Sequence, residues 1–297
     1  MATPSDVLAQ LAEARAALDA LAWDRQVTAR GTEHLRASLL MDAQASAALE
    51  GAVVPAEVLA QGPPRAPLER LAARVLALHA DVAGAVDLVS RAPLQVLARF
   101  GSIMSAGVLA PSEVGRPRTG PPEDPWHLQL APPASAVPGL LAQVVRPRGA
   151  GDAPALVTAG LVHAHLMVLA PFPTGNGPIA RAFTTALLRS RGIDVDGRAP
   201  LSAGLREVGR PALVSALRAF AAEGPPPQVD DVTVLVRPGV AGWLRVWAAA
   251  VTAAAAVARA GGGAVGGGAG GAVGGGAGGA AGDPSSTGAD AGAGHPR

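Results

Sequence analysis

Apolar residues return every third or fourth position through most of the chain, and that period predicts helices. Val7, Leu8, Leu11, Ala14, Leu18 and Leu21 line one face of a first helix, with Thr3 or Ser5 placed to cap its start. A second helix is expected from about Val27 to Glu50, closed by Gly51, a residue type suited to a left-handed cap. "PAEVLAQ" (55–61) reads as a short third helix. Two or three more fill 67–108, with Leu71, Val75, Leu78, Val82, Val86 and Val89 as the buried stripe. The period is lost over 110–138, where Pro and Gly are too dense for a long helix. In that stretch "WHLQL" is the one strand-like piece, so a short β-hairpin or an irregular flap is expected. Helices resume with "VPGLLAQVV", "APALVTAGLVHAHLMVL" (153–169), "GPIARAFTTALLRSRG" (177–192), "LREVGRPALVSALRAFAAEG" and an Ala-rich segment ending near Ala260.

The pattern predicts an all-α helical bundle with one irregular insert. Its expected divisions are an N-terminal helical region (1–109), a core (110–225), a helical extension (226–260) and a Gly/Ala-rich tail (261–297). The tail has too little apolar surface to offset its ordering entropy and reads as disordered. About 260 residues remain, enough for a substantial core.

Charge narrows the reading further. Lys plus Arg is 24 against 23 acids, a formal net charge of +1, which carries no nucleic-acid footprint. Every one of those cations is Arg, and the chain has no Lys, Tyr or Cys. The composition fits GC-rich codons, as in high-GC bacteria. The N-terminus mixes acids and Arg in an amphipathic pattern, unlike a secretion signal. The apolar run 246–258 lies between Arg245 and Arg259 and falls short of the roughly 20 residues of a membrane span. A cytoplasmic protein with no membrane partner is expected, with homo-oligomerisation left open. Trp243 and Trp247 stand at i and i+4 and read as a core-facing stripe, with a partner-facing stripe as the alternative.

The chain's single Asn lies in "APFPTGNGPIAR" (170–181). Pro171 and Pro173 stop the preceding helix, Gly175 and Gly177 permit unusual backbone angles, Asn176 suits an N-cap, and Pro178 suits a first turn. Such a helix start, with unpaired N–H groups between glycines, is a natural anion site. An ordinary helix–loop–helix corner would use the same residue types. Arg181 sharpens the choice, because a cation one turn into a helix is unfavourable without an anion nearby. Glu50 has the converse problem, an acid at the negative end of its helix. Each would be relieved by the other.

The stretch resembles the signature of the Fic (Fido) family, HPFx[D/E]GNGRxxR: Pro171, Phe172, Gly175, Asn176, Gly177 and Arg181 match in register. "SAALEG", Ser46 to Gly51, resembles the family's inhibitory motif [S/T]xxxE[G/N], and "VGRPR" and "LAPPASAVPGLLAQVV" resemble the segment ahead of the catalytic helices. The similarity spans roughly 30–225. It implies a Fic-like helical bundle that takes ATP with Mg²⁺ and transfers AMP to a protein hydroxyl. By resemblance the Gly175–Asn176–Gly177 loop and Arg181 would hold the nucleotide's phosphates, and Glu50, with Ser46, would occupy Arg181 in an inhibited state.

The departures from the pattern fall on the chemistry. Ala170 stands where the family has its general base, Thr174 where its metal-holding acid stands, and Pro178 where its first phosphate-binding Arg stands. Base assistance is worth roughly 10²–10⁴ in rate. His163 is about 10 Å back along the helix from Ala170, and His165 points to another face, so neither substitutes without rearrangement. Three readings follow. One is a degenerate Fic-like protein without transfer activity, keeping weak nucleotide or phosphate binding at Thr174–Gly177 and Arg181, with ATP and Mg²⁺ held weakly or lost. The second is an active transferase inhibited by Glu50. The third is an interaction protein using its helices as a surface. None names a protein target.

Overall fold

The computed structural model describes residues 4–55, 57–58, 63–146, 153–224 and 237–261. Ten α-helices run through them, and no strand occurs among the described residues. They are α1 (Pro4–Ala22), α2 (Arg25–Leu49), α3 (Pro67–Val89), α4 (Pro93–Ser105), α5 (Val137–Val144), α6 (Ala155–Leu169), α7 (Asn176–Ser190), α8 (Leu201–Val208), α9 (Arg210–Ala222) and α10 (Pro238–Gly261). A 3₁₀ turn, Ala134–Ala136, leads into α5. Most of the expected helix at 55–61, and all but the first residue of the expected tail, lie outside the described residues.

Three boundaries differ from expectation, each for a local reason. Ser5 lies inside α1, and Thr3, the other candidate cap, lies outside the described residues. The segment 205–224 is cut at Gly209, whose φ of 91° ends α8 and starts α9 at Arg210, with Pro211 in its first turn. "WHLQL" forms no strand: His127 and Gln129 take φ of 53° and 56°, and the Asp124 carboxylate accepts from the backbone N–H groups of Leu128 and Gln129. A turn capped in this way leaves those N–H groups unavailable to a ladder. The insert is an irregular flap.

α10 is the axis of the bundle. It packs against α1, α8, α9 and α6, while α7 packs between α3 and α6. By length and composition α10 would suffice to cross a membrane, and it is longer than the apolar run 246–258 suggests. Its apolar face is nonetheless used inside the bundle: Trp243 and Trp247 are fully buried. Their indole N–H groups donate to the carbonyls of Gly160 (2.6 Å) and Leu156 (3.0 Å) on α6. An indole of this kind removes on the order of 200 Å² from water, about 5 kcal/mol of transfer free energy before entropy. Gly160 makes the approach feasible, since a Cβ there would stand 2.7 Å from Trp247 Cδ1.

α8 approaches α10 even more closely, at Gly204, where an added Cβ would overlap the Ala250 carbonyl oxygen. A backbone atom cannot swing aside as a side chain does. Gly204→Ala is therefore expected to lower unfolding free energy by about 2–4 kcal/mol, read as a lower urea midpoint. An unchanged midpoint would mean that the α8–α10 contact yields.

Candidate functional site: an anion seat at the start of α7

The loop between α6 and α7 closes on itself. α6 ends with Ala170 in the left-handed region (φ 43°, ψ 66°), its N–H bonded to Leu166 O. Phe172 drops into the core against Gly101, where a Cβ would stand 2.7 Å from its ring. Asn176 was expected as an N-cap. The structure places it as the first residue of α7, after Gly175 at φ 74°. Its side chain reaches back instead, accepting from Phe172 N–H and donating to Phe172 O, both at 2.8 Å. The amide is spent on the loop's shape, leaving the first-turn N–H groups of α7 uncapped by it.

Arg181 is completely buried one turn later. Its Nε donates to Ser46 Oγ (2.8 Å), and its Nη2 to Ser46 O (2.9 Å) and Glu50 Oε1 (2.7 Å). Nη1 has no partner among the described residues and faces Gly177, where a Cβ would stand 3.2 Å from it. That same Cβ would overlap Glu50 Oε1, so only glycine admits the carboxylate here. Glu50 thus lies against the positive end of α7 and on its cation together, with the pair almost wholly buried. Ser46 and Glu50 of α2, and Gly177 and Arg181 of α7, meet in one place.

Over this seat lies a cavity of about 770 Å³, in the range of small-molecule sites. Glu50, Arg118, Trp126, Ala170, Thr174 and Pro178 are among its walls. Three of its residues were not assigned to the site from the sequence. Buried Trp126 donates its indole N–H to Glu50 Oε1 at 3.2 Å. Arg118 anchors the flap, its guanidinium donating to the carbonyls of Ala170 (2.7 Å), Gly120 (2.9 Å) and Pro132 (2.6 Å). Burial pulls its pKa below the usual arginine value. Glu123 accepts from the Thr174 hydroxyl, and its N–H donates to Pro173 O at 2.8 Å. All three belong to the Pro-rich flap, whose path has no period to read.

Neither helical histidine reaches Ala170. His163 is buried beside both indoles, 5.6 Å from Trp243 and 5.5 Å from Trp247. His165 meets Phe220 edge-on. Burial first, and then the charge of Arg181, push the His163 pKa down to about 3.

No family model matches the sequence, and no curated protein does. Solved structures do match. One is the crystal structure, at 2.70 Å resolution, of a Fic family protein from Desulfovibrio desulfuricans G20. It is 19% identical, with a TM-score of 0.64 over 88% of this chain and 75% of that one. The bundle therefore has the Fic fold.

The His163 pKa carries a pH prediction. An unfolded imidazole protonates near 6.5 while the folded one stays neutral to about 3. The unfolded state then binds more protons, so this contribution to stability is present above 6.5 and is lost as pH falls toward 3. His163→Phe, which keeps a ring between the indoles, should remove that slope from urea midpoints measured between pH 7 and 4. Parallel pH profiles would contradict the assignment.

Proposed function

We propose that this protein is a Fic-fold pseudoenzyme: a phosphate seat for a nucleotide, held shut by Glu50, without the groups to activate a target hydroxyl. The observation that carries the reading is the Glu50 carboxylate seated between Gly177 and the buried Arg181 guanidinium. A carboxylate there answers the positive helix end and the cation as a phosphate oxygen would. The partly unsatisfied guanidinium supports a larger anion than one carboxylate, since its Nη1 still lacks an acceptor among the described residues.

The chemistry is where the reading departs from a transferase. Ala170 is at the cavity wall and takes up no proton, and both helical histidines are committed elsewhere. A Mg²⁺ favours carboxylates in near-octahedral geometry. The loop offers a Thr174 hydroxyl already bonded to Glu123, and no cluster of three ligating side chains occurs among the described residues. That donor set is a poor match, so a metal would be held by the nucleotide's phosphates, and no step is derived through it.

Titration calorimetry with ATP tests the seat. Wild type should give no saturable heat. Glu50→Gly should bind in the range of about 10 micromolar to 1 millimolar, −7 to −4 kcal/mol, with little dependence on Mg²⁺. Absence of binding to both would remove the nucleotide from the reading. Labelled ATP tests the chemistry: neither protein should transfer label, whereas Glu50→Gly carrying Ala170→His, Thr174→Asp and Pro178→Arg should. Transfer by the unaltered protein would overturn the pseudoenzyme reading. Stability should move in opposition to access. Glu50→Gly leaves a buried charge unpaired, a loss of about 3–5 kcal/mol, and ATP should raise its Tm while leaving that of wild type unchanged.

A further inference from the structure

α2 is two helical pieces. Gly31, at φ 49° and ψ −123°, interrupts it, and Gly51, at φ 88°, follows its end. Between these glycines, the helical rod of residues 32–49 and its capping residue Glu50 carry polar residues at a spacing of four: His34, Ser38, Asp42, Ser46 and Glu50. The first four are nine-tenths or more buried, and the Glu50 side chain is 6% exposed. A buried polar stripe is costly unless each member is bonded, and each member is. His34 Nε2 (3.2 Å) and Ser38 Oγ (2.9 Å) donate to Arg198 O. Asp42 accepts from His79 Nδ1 of α3 at 2.9 Å and from the backbone N–H of Ser202, in the first turn of α8, at 2.5 Å. Ser46 and Glu50 take Arg181 of α7.

The winding follows from helix geometry. Four residues exceed one turn, so each step rotates by about 40° as it climbs about 6 Å. Successive members therefore meet the loop before α8, then α3 and α8, then α7. These contacts are satisfied together in one register of the rod. A slide or rotation that frees Glu50 also pulls Asp42 out of its two buried bonds. Gly31 and Gly51, both at positive φ, bound the rod, and a Cβ at either would meet nothing within 4 Å.

We propose that His34, Ser38 and Asp42 are positioning residues that hold Glu50 in the anion seat, so that residues 32–50 engage and release as one body and the seat is controlled from Asp42, about 12 Å along the rod. The proposal rests on the reading that Glu50 occludes the seat, and its experiment has two arms that fail separately. The first is a double-mutant cycle read by ATP calorimetry on Asp42→Asn, Glu50→Gly and the double variant. Asp42→Asn should give saturable ATP binding where wild type gives none, and should change the Glu50→Gly affinity by less than about twofold, the non-additivity of coupled positions. No saturable heat with Asp42→Asn alone while Glu50→Gly binds, or a large further gain when Asp42→Asn is added to Glu50→Gly, would overturn the proposal.

The second arm is hydrogen exchange, which needs no ligand. Asp42→Asn should speed exchange of the amides of 43–50 at least about tenfold while leaving α6 unchanged, as expected for a locally opening unit. Leu217→Ala, a buried truncation on α9, which packs on α6, α8 and α10, is the control for general destabilisation. If Asp42→Asn fails to fold, Ser38→Ala takes its place with the same expectation. Failure of ATP to bind Glu50→Gly would sink the nucleotide reading and leave this arm to decide the rod. Matching exchange patterns in the stripe variant and Leu217→Ala would sink the rod itself.

Discussion

A guanidinium with no exposed surface sits one turn into α7, on the positive side of a helix start. Removing such a charge from water costs several kcal/mol unless an anion and hydrogen-bond acceptors meet it. This demand organises the molecule around the loop. Ser46 supplies two acceptors, Glu50 supplies the charge, and Gly177 leaves the carboxylate room. Trp126 closes over the pair from the flap, and the flap is held by Arg118 on the carbonyls at the end of α6. Glu50 answers the guanidinium in this structure, and the proposed nucleotide would have to take the same place.

That constraint also separates the loop residues that packing demands from those it does not. Arg181 ties α7 to α2, Asn176 closes the loop, and Phe172 fills the space above Gly101. Each is required for packing whatever the site does. Ala170, Thr174 and Pro178 face the cavity, and the structure asks less of them. Ala170 keeps only a left-handed cap conformation, which Asn or Gly would also adopt. On the proposed reading, the residues kept from an anion site are those that packing also requires.

The helices were legible because their burial is one-sided and periodic: Val75, Leu78, Val82 and Val89 are buried as their spacing requires, while Val86 is half-buried at the edge of the stripe. The meeting of Glu50 with Arg181 was legible for an electrostatic reason, each charge standing at the wrong end of its own helix. Trp126, Arg118 and Glu123 were not. Their places depend on a flap shaped by carbonyl acceptors and by left-handed turns at His127 and Gln129, residue types that do not announce such angles. Asn176 was ambiguous between capping forward and bonding back, and only the geometry of Phe172 decides it. The stripe from His34 to Glu50 was present as a spacing, yet a spacing of four on an amphipathic helix also describes an ordinary core face.

The central claim is that Glu50 excludes external anions from Arg181. It is tested most directly by following the Arg181 Nε–H resonance by NMR in ¹⁵N-arginine-labelled protein during titration with inorganic pyrophosphate. The account predicts a sharp, immobile signal in the wild type and a saturable shift once Glu50 is replaced by Gly. A saturable shift of equal midpoint in both proteins would contradict it.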